Sequence, residues 1–211
     1  MPTNDFFGTL LLFLVLLNPF LMSVYLVDLI AELNLKLFGQ VLVRASVISF
    51  FAFGLFTVFG EKMFTDVLQV EFSSFLVFGG IVFLVIALRH LFQGSEAIRQ
   101  IRGGSAEHLA GSVAMPFMIG PGTISASVWT GSSLGPVWGL GVVISALLIS
   151  LAALLLFKVL YDQMRKNYQP LLERYFDIAG RISALWVGTF AIKMVLTGLQ
   201  DWGVFAGKIT G

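Results

Sequence analysis

Long apolar runs separated by short polar segments set the pattern of this chain. A helix that crosses the hydrocarbon core of a bilayer needs about 20 mostly apolar residues, at a rise of about 1.5 Å each. Six runs are close to that length: residues 6–27, 41–60, 72–88, 112–130, 137–157 and 182–202. The pattern therefore predicts an all-α integral membrane protein with six transmembrane helices.

Two boundaries of these runs need a further argument. Residues 109–157 contain no charged side chain or histidine, and this stretch is too long for one helix. The sequence Gly-Ser-Ser-Leu-Gly-Pro at residues 131–136 is the expected break, because glycine and proline interrupt helices. No Lys or Arg precedes the first run, unlike a secretory signal, so we expect that run to remain as a membrane helix.

The composition favours a membrane protein over a soluble one. Of the 211 residues, 57% are hydrophobic and 12% are charged, and the mean hydropathy is +0.92. A soluble domain carries about 25% charged residues, so this chain has too little charge to solvate a normal surface. The connectors are too short for a core of their own. We therefore predict one transmembrane domain over residues 1–211, surrounded by membrane lipid.

Lys and Arg are distributed unequally between the two sides that six spans define. The connectors after the first, third and fifth runs, with their flanking helix ends, hold Lys36, Arg44, Arg89, Arg99, Arg102, Lys158, Arg165, Lys166, Arg174 and Arg181. The opposite side holds only Lys62 and Lys208. Because connectors rich in Lys and Arg stay in the cytoplasm, we expect both termini to be periplasmic.

Two of the apolar runs contain helix breakers near their middle. The first run has Asn18-Pro19 and the fourth has Gly120-Pro121-Gly122. Proline is well accommodated at the first turn of a helix, so each proline is expected to start a second half-helix. The exposed N–H groups and the positive dipole end of such a half-helix attract an anion such as a carboxylate. Each break also has a simpler interpretation as a packing kink.

A serine follows the proline of each break by four residues, at Ser23 and Ser125. This correspondence suggests two repeats, residues 6–92 and residues 112–202. Because each repeat has three spans, the second would enter the membrane from the opposite side. Inverted repeats of this kind, with broken helices that place substrate near the midplane, occur in many secondary transporters.

Lys193 lies near the middle of the sixth run, where a charge is costly and faces the protein interior or water. It is either a substrate-binding or proton-coupling residue, or a structural cation bound by carbonyl groups at the breaks. Gly79-Gly80 in the third run is expected to allow close helix approach rather than ligand contact. Asp28 and Glu61 lie near span ends and are expected to be interfacial.

Four segments resemble the MarC family of bacterial inner-membrane proteins, named after a multiple-antibiotic-resistance locus. They are residues 16–20, 75–81, 114–125 and 181–199, of which the third reads Ala-Met-Pro-Phe-Met-Ile-Gly-Pro-Gly-Thr-Ile-Ser. The resemblance covers nearly the whole chain and implies six spans in the bacterial inner membrane. Some members of the family are associated with transport of small neutral amino acids such as alanine, glycine and threonine.

By match to the family motifs, the expected functional positions are Asn18, Pro19, Gly120, Pro121, Gly122, Thr123 and Ser125. Ser23 joins them as an expected substrate-binding residue because of its match to Ser125, and Lys193 joins them because of its charge in the middle of the sixth run. The chain departs from the family pattern at Lys193, where an uncharged residue, often Gln, is expected. We expect a small pocket bounded by glycine and serine that admits glycine or alanine.

The leading hypothesis is a secondary transporter of small neutral amino acids. An ion-coupled exporter of another small solute and a non-transporting accessory membrane protein are the alternatives. An enzyme is not expected, because the sequence shows no nucleophile paired with histidine, no paired carboxylates and no phosphate loop. The absence of cysteine and the presence of only two histidines argue against a metal or other cofactor. No basic tract suggests nucleic acid, and the oligomeric state stays open, a homo-oligomer included.

Overall fold

The computed structural model describes residues 2–93, 113–114 and 118–202, and every regular element within them is a helix. In chain order these are α1 (Pro2–Leu17), α2 (Pro19–Tyr25), α3 (Val27–Glu32), α4 (Leu35–Phe59), a π-helix (Met63–Leu68), α5 (Phe72–Gln93), α6 (Pro121–Leu134) and α7 (Pro136–Asp201). Part of the predicted fourth span and the basic residues Arg99, Arg102 and Lys208 lie outside the described residues.

Within the part of the chain that the structure describes, three helices are long and apolar enough to cross a membrane: Leu35–Phe59, Phe72–Arg89 and Pro136–Met164. They coincide with the second, third and fifth predicted spans, which confirms the all-α membrane class. A shorter apolar helix, Asp5–Leu17, covers part of the first. The count of six spans and the inverted repeat stay predictions.

Helix α7 bends sharply, although it is helical from Pro136 to Asp201. A Cβ on Gly139 would lie 3.4 Å from the Cα of Gly131, and a Cβ on Gly122 would lie 4.0 Å from the sulfur of Met194. Residues 139 and 194 would be about 80 Å apart if α7 were straight. Their neighbours Gly131 and Gly122, however, are separated by only about 14 Å of α6. Helix α7 must therefore fold back on itself. We therefore treat α7 as a first arm, Pro136–Met164, and a second arm, residues 182–201.

The two arms of α7 pack on different partners. On the first arm, Leu140 and Leu155 lie 3.4 Å and 3.6 Å from Cβ positions built on Gly54 and Gly39, so α4 runs antiparallel to it. The second arm runs antiparallel to α5, where a Cβ on Gly80 would lie 2.7 Å from the carbonyl oxygen of Ala191. Because no side chain fits at that contact, the prediction of close helix approach at Gly79-Gly80 is confirmed.

The predicted break at residues 131–136 is also confirmed. Helix α6 ends at Leu134, Gly135 has φ 78°, and Pro136 is the first residue of α7. Only glycine adopts that backbone conformation without strain. Just before the turn, a Cβ on Gly131 would overlap the carbonyl oxygen of Thr57. This contact holds α4 against the junction of α6 and α7.

A buried lysine fastens the first arm to the end of α3. Lys158 is 2% exposed, and its Nζ donates to the carbonyl oxygen of Ile30 at 2.7 Å. It also forms an ion pair with Asp162 at 2.5 Å. The last carbonyl groups of a helix lack partners within it, so Lys158 satisfies one of them. We expected Lys158 at the basic end of a span, and the structure gives it this additional packing role.

Candidate functional site

The first helix break has a left-handed residue followed by proline. Helix α1 ends at Leu17, Asn18 has φ 43°, and Pro19 begins α2. Asn18 N–H still donates to the carbonyl oxygen of Leu14 at 2.8 Å, and Asn18 C=O accepts from Met22 N–H at 3.0 Å. Asparagine visits this region more readily than most residues. The prediction that Pro19 starts a second helix is confirmed.

The second break has a different backbone. Ile119 N–H donates to the carbonyl oxygen of Ala114, five residues back, at 2.8 Å. Gly120 is then extended, with φ −119° and ψ 167°, and Pro121 is the first residue of α6. The first bond of the new helix runs from Ile124 N–H to Gly120 C=O at 2.9 Å. This break therefore also starts a helix at its proline, as predicted.

Thr123 holds the second break together from inside the protein. Its hydroxyl accepts from Gly120 N–H at 2.9 Å and lies 2.9 Å from the carbonyl oxygen of Met118. Its side chain is buried. One hydroxyl thus joins the chain before the break to the first turn after it, which fixes the direction of α6.

The N-terminus of α6 presents backbone donors. Among the described residues, Gly122 N–H and Thr123 N–H have no hydrogen-bond partner, because Pro121 and Gly120 precede them without a helical turn. Such groups carry the positive end of the helix dipole. An anionic group placed here would be stabilised by both N–H groups.

A cavity of about 440 Å³ lies beside this helix end. Its walls come from α1, the start of α2, α5, α6 and the second arm of α7. Four of the predicted site residues line it: Asn18, Gly122, Ser125 and Lys193. They belong to three segments far apart in sequence, so the fold brings both breaks and the lysine to one place.

The break of α6 and the lysine lie at the same depth. A Cβ on Gly122 would be 3.7 Å from Leu16 Cδ2, 3.8 Å from Phe83 Cε2 and 4.0 Å from the sulfur of Met194. Leu16 is two residues before Asn18, and Met194 directly follows Lys193. Three parts of the structure therefore lie close together along the cavity: the N-terminus of α6, the first break and Lys193.

The five other predicted site residues do not line the cavity. Pro19 begins α2, and Thr123 caps α6 as described. Ser23 is fully buried and donates to the carbonyl oxygen of Phe20 at 2.6 Å. A Cβ on Gly120 would overlap the ring of Phe83, and Pro121 packs against Gly79. These residues shape the breaks through packing and hydrogen bonds.

Lys193 points toward open space rather than toward a partner. Its side chain is exposed, and within the described residues it makes no hydrogen bond or ion pair. The interpretation of Lys193 as a structural cation bound by carbonyl groups at the breaks therefore finds no support there. An unpaired cation on a cavity wall is available to a ligand.

The aromatic walls of the cavity were missed by the sequence argument. Trp129, Trp186, Phe190 and Phe83 line it, whereas we expected a small pocket bounded by glycine and serine. One signal was present: Trp186, Phe190 and Lys193 recur at helical spacing and so share one face. The described residues contain no group of His, Cys, Asp or Glu that could hold a metal ion.

The family model for "MarC family integral membrane protein" matches residues 3–203. A UPF0056 membrane protein of Pyrococcus horikoshii is 26% identical over 196 residues, which cover 92% of this chain and 93% of the relative. A UPF0056 membrane protein of Aquifex aeolicus is 25% identical over 198 residues, covering 89% of each chain.

A UPF0056 membrane protein of Archaeoglobus fulgidus is 27% identical over 168 residues, covering 75% of each chain. No solved structure matches the chain. The family model spans nearly the full length, including both helix breaks and Lys193. The chain belongs to the MarC family of integral membrane proteins.

Proposed function

We propose that this protein is a secondary transporter of small neutral amino acids, the class of alanine, glycine and threonine, across the bacterial inner membrane. The observation that carries the proposal is the convergence of Asn18, Gly122, Ser125 and Lys193 on one cavity at the level of the helix breaks. Broken helices that face a central cavity are a recurrent feature of secondary transporters.

The carboxylate of the amino acid would bind at the start of α6. Gly122, in the first turn of α6, lines the cavity there, and the amino group of Lys193 belongs to the same lining. Ser125, one turn further along α6, lines the same wall and offers hydroxyl lone pairs to the ammonium group. Each end of a zwitterion thus has a partner of suitable charge or polarity.

The proposal includes six spans with both termini periplasmic. Two contacts made by basic residues of α7 support this arrangement: Lys158 Nζ donates to the carbonyl oxygen of Ile30 in α3, and Arg181 Nη1 donates to that of Leu91 near the end of α5. The sequence has no cysteine, so single cysteines placed at Lys36 and Lys62 can be labelled without background. Labelling of both by an impermeant maleimide from the same side would contradict this topology.

An accessory protein, whose breaks serve packing alone, is the alternative that one observation favours. Gly120 against Phe83 and Pro121 against Gly79 are packing contacts at the second break. Packing alone, however, gives no reason for an unpaired lysine and free backbone donors beside a cavity. Solute movement separates the two functions directly.

Counterflow in proteoliposomes tests the proposal. Purified protein is reconstituted with unlabelled alanine, glycine or threonine inside, and uptake of the labelled amino acid is followed. We expect uptake by the wild type, a reduced rate for Gly122→Ala and the rate of protein-free liposomes for Gly122→Leu. A Cβ at residue 122 meets only ordinary contacts at 3.7 Å and beyond, so the larger side chain fills the cavity rather than the protein core.

Gly8→Leu is the matched control. It adds the same side chain to a helix, at a glycine with no atom within 4 Å of its Cβ position and outside the cavity lining. Its uptake should equal that of the wild type. Absence of counterflow for every amino acid in the wild type, or equal uptake by Gly122→Leu and the wild type, would refute the proposed transport.

A further inference from the structure

We propose that the cavity selects a monocarboxylate with a bulky apolar body, and that this body enters from the lipid side. This inference concerns the same cavity as the proposed function, and it assigns that cavity a second class of ligand. It goes beyond that function, because alanine and glycine have almost no apolar body to place against the cavity walls.

The size of the cavity is the first argument. Its volume of about 440 Å³ falls in the range of about 300–1,000 Å³ of pockets that take ligands of drug size. A glycine or alanine zwitterion would leave most of this space empty or filled with water. Water is poorly held between apolar walls, so a ligand with an apolar body fits the site better.

The position of the aromatic residues is the second argument. Trp186 is 66% exposed, Trp129 is 49% exposed and Phe190 is 37% exposed, yet all three line the cavity. They therefore form part of its rim as well as its wall. Exposed apolar side chains of a membrane-spanning helix contact the lipid chains of the hydrocarbon core. The cavity consequently opens sideways into the bilayer.

The polar groups are separated from the tryptophans along the helices, since about 10 Å of helix lie between Lys193 and Trp186 and about 10 Å between Gly122 and Trp129. Lys193, Gly122 and Ser125 share one level with the start of α6. Charge complementarity favours an anionic group here, and a backbone donor at Gly122 together with the amino group of Lys193 suits a carboxylate. The ligand thus has one charged end and one apolar end, oriented from the helix break towards the two tryptophans.

The depth of Lys193 argues against a phospholipid headgroup as the anion. About 18 Å of helix separate it from Arg181 and about 12 Å from Asp201, so it lies well inside the apolar segment. Its Cα–Cβ bond tilts towards the N-terminus of the helix, towards Phe190 and away from the nearer end. A resident phosphate group at this depth would lose its hydration, whereas a single carboxylate is neutralised by the lysine.

Ligand binding to the full chain in nanodiscs of zwitterionic phosphatidylcholine tests the inference. The probes are phenylacetate, acetate, which lacks the apolar body, and phenylacetamide, which lacks the charge. Thermal stabilisation reports binding by mass action, and quenching of tryptophan fluorescence gives a second readout. We expect phenylacetate to bind at least about tenfold more tightly than either analogue, the scale of one charge-assisted hydrogen bond.

Two variants separate the charge from the apolar wall. Lys193→Gln should remove the preference for phenylacetate over phenylacetamide, and Trp186→Ala should reduce the preference for phenylacetate over acetate. Their matched controls are Lys62→Gln and Trp138→Ala, which change exposed residues of the same types outside the cavity lining. Both controls should keep the wild-type preferences, and all four variants should stay folded because the changed side chains are exposed.

The outcomes distinguish this inference from the proposed transport. Equal binding of acetate and phenylacetate, or an unchanged preference in Lys193→Gln, overturns the inference while alanine counterflow can still stand. Binding of phenylacetate without counterflow of any amino acid supports the inference and refutes the transport of amino acids. Displacement of phenylacetate by phosphatidylglycerol identifies a lipid site instead. Loss of a stable homodimer in Trp186→Ala, with unchanged carboxylate binding, identifies a subunit interface. Displacement by phosphatidylglycerol and loss of the homodimer would each overturn the inference.

Discussion

At Asn18-Pro19 the backbone passes through the left-handed region, whereas at Gly120-Pro121 it is extended. A left-handed conformation costs a residue with a Cβ about 1–2 kcal/mol, and asparagine is among the few that tolerate it. An extended conformation is open to any residue. The glycine of the second break is therefore required for another reason, the ring of Phe83 directly above it.

The helices that follow the two breaks also differ. Helix α2 has 7 residues and is followed at once by α3 with 6 residues, whereas α6 continues for 14 residues. Only α6 is long enough to develop a substantial dipole, and its first turn faces the cavity. The two breaks look alike in sequence, yet α6 contributes Gly122, Ser125, Ala126 and Trp129 to the cavity lining, whereas among its described side chains α2 contributes only Met22. Similar motifs in the two halves do not make equivalent sites.

The largest effect is expected at Gly120. Gly120→Ala places a methyl group into the ring of Phe83, and overpacking of this kind costs about 1–3 kcal/mol. Gly122→Ala, two residues further along, meets its nearest atom at 3.7 Å and should leave the apparent free energy of unfolding almost unchanged. Thermal unfolding of both variants in the same detergent measures the difference.

Relief of the overlap provides the internal control for this prediction. Phe83→Leu removes the ring, so the double variant Gly120→Ala with Phe83→Leu should recover part of the stability lost by Gly120→Ala alone. Additive losses in the double variant would mean that the two residues do not interact. Gly120 would then be required for its backbone conformation rather than for packing against Phe83. The two breaks would no longer differ in this respect.

An intermediate effect is expected at Asn18. Asn18→Ala puts a residue with a Cβ and no local hydrogen-bonding group at φ 43°, which should lower the apparent free energy of unfolding by about 1–2 kcal/mol. Asn18→Gly keeps the backbone free to adopt this angle and should cost less than Asn18→Ala. If alanine were tolerated better than glycine, the first break would not depend on its left-handed residue.

The helices and both breaks could be predicted from sequence because they depend on local chemistry. Apolar length indicates a membrane helix, and Pro19 and Pro121 indicate where a new helix begins. The cavity could not be predicted in the same way, since Lys193 and Gly122 come to line one cavity only through the bend of α7. The capping by Thr123 was likewise hidden, because its motif position suggested substrate binding and its hydroxyl instead bonds the backbone.

The smallest effect on stability is expected at Ser23 and Ser125. The same two residues give the sharpest test of the difference between the two breaks. Ser23 and Ser125 each donate to a carbonyl oxygen of their own helix, at 2.6 Å and 2.7 Å. Loss of one such bond changes stability by about 1 kcal/mol or less, so Ser23→Ala and Ser125→Ala should unfold at similar temperatures. The functional effects should differ, because Ser125 lines the cavity and Ser23 is fully buried outside it.

Counterflow of the two variants therefore decides whether the halves are equivalent. Ser125→Ala should change the half-saturating solute concentration, whereas Ser23→Ala should transport like the wild type. A symmetric repeat with two equal half-sites would make both variants defective to the same extent. Equal defects would also mean that the buried hydroxyl of Ser23 reaches the solute in another conformation of the protein. An effect confined to Ser125 would leave the N-terminus of α6 as the part of the structure that binds the transported solute.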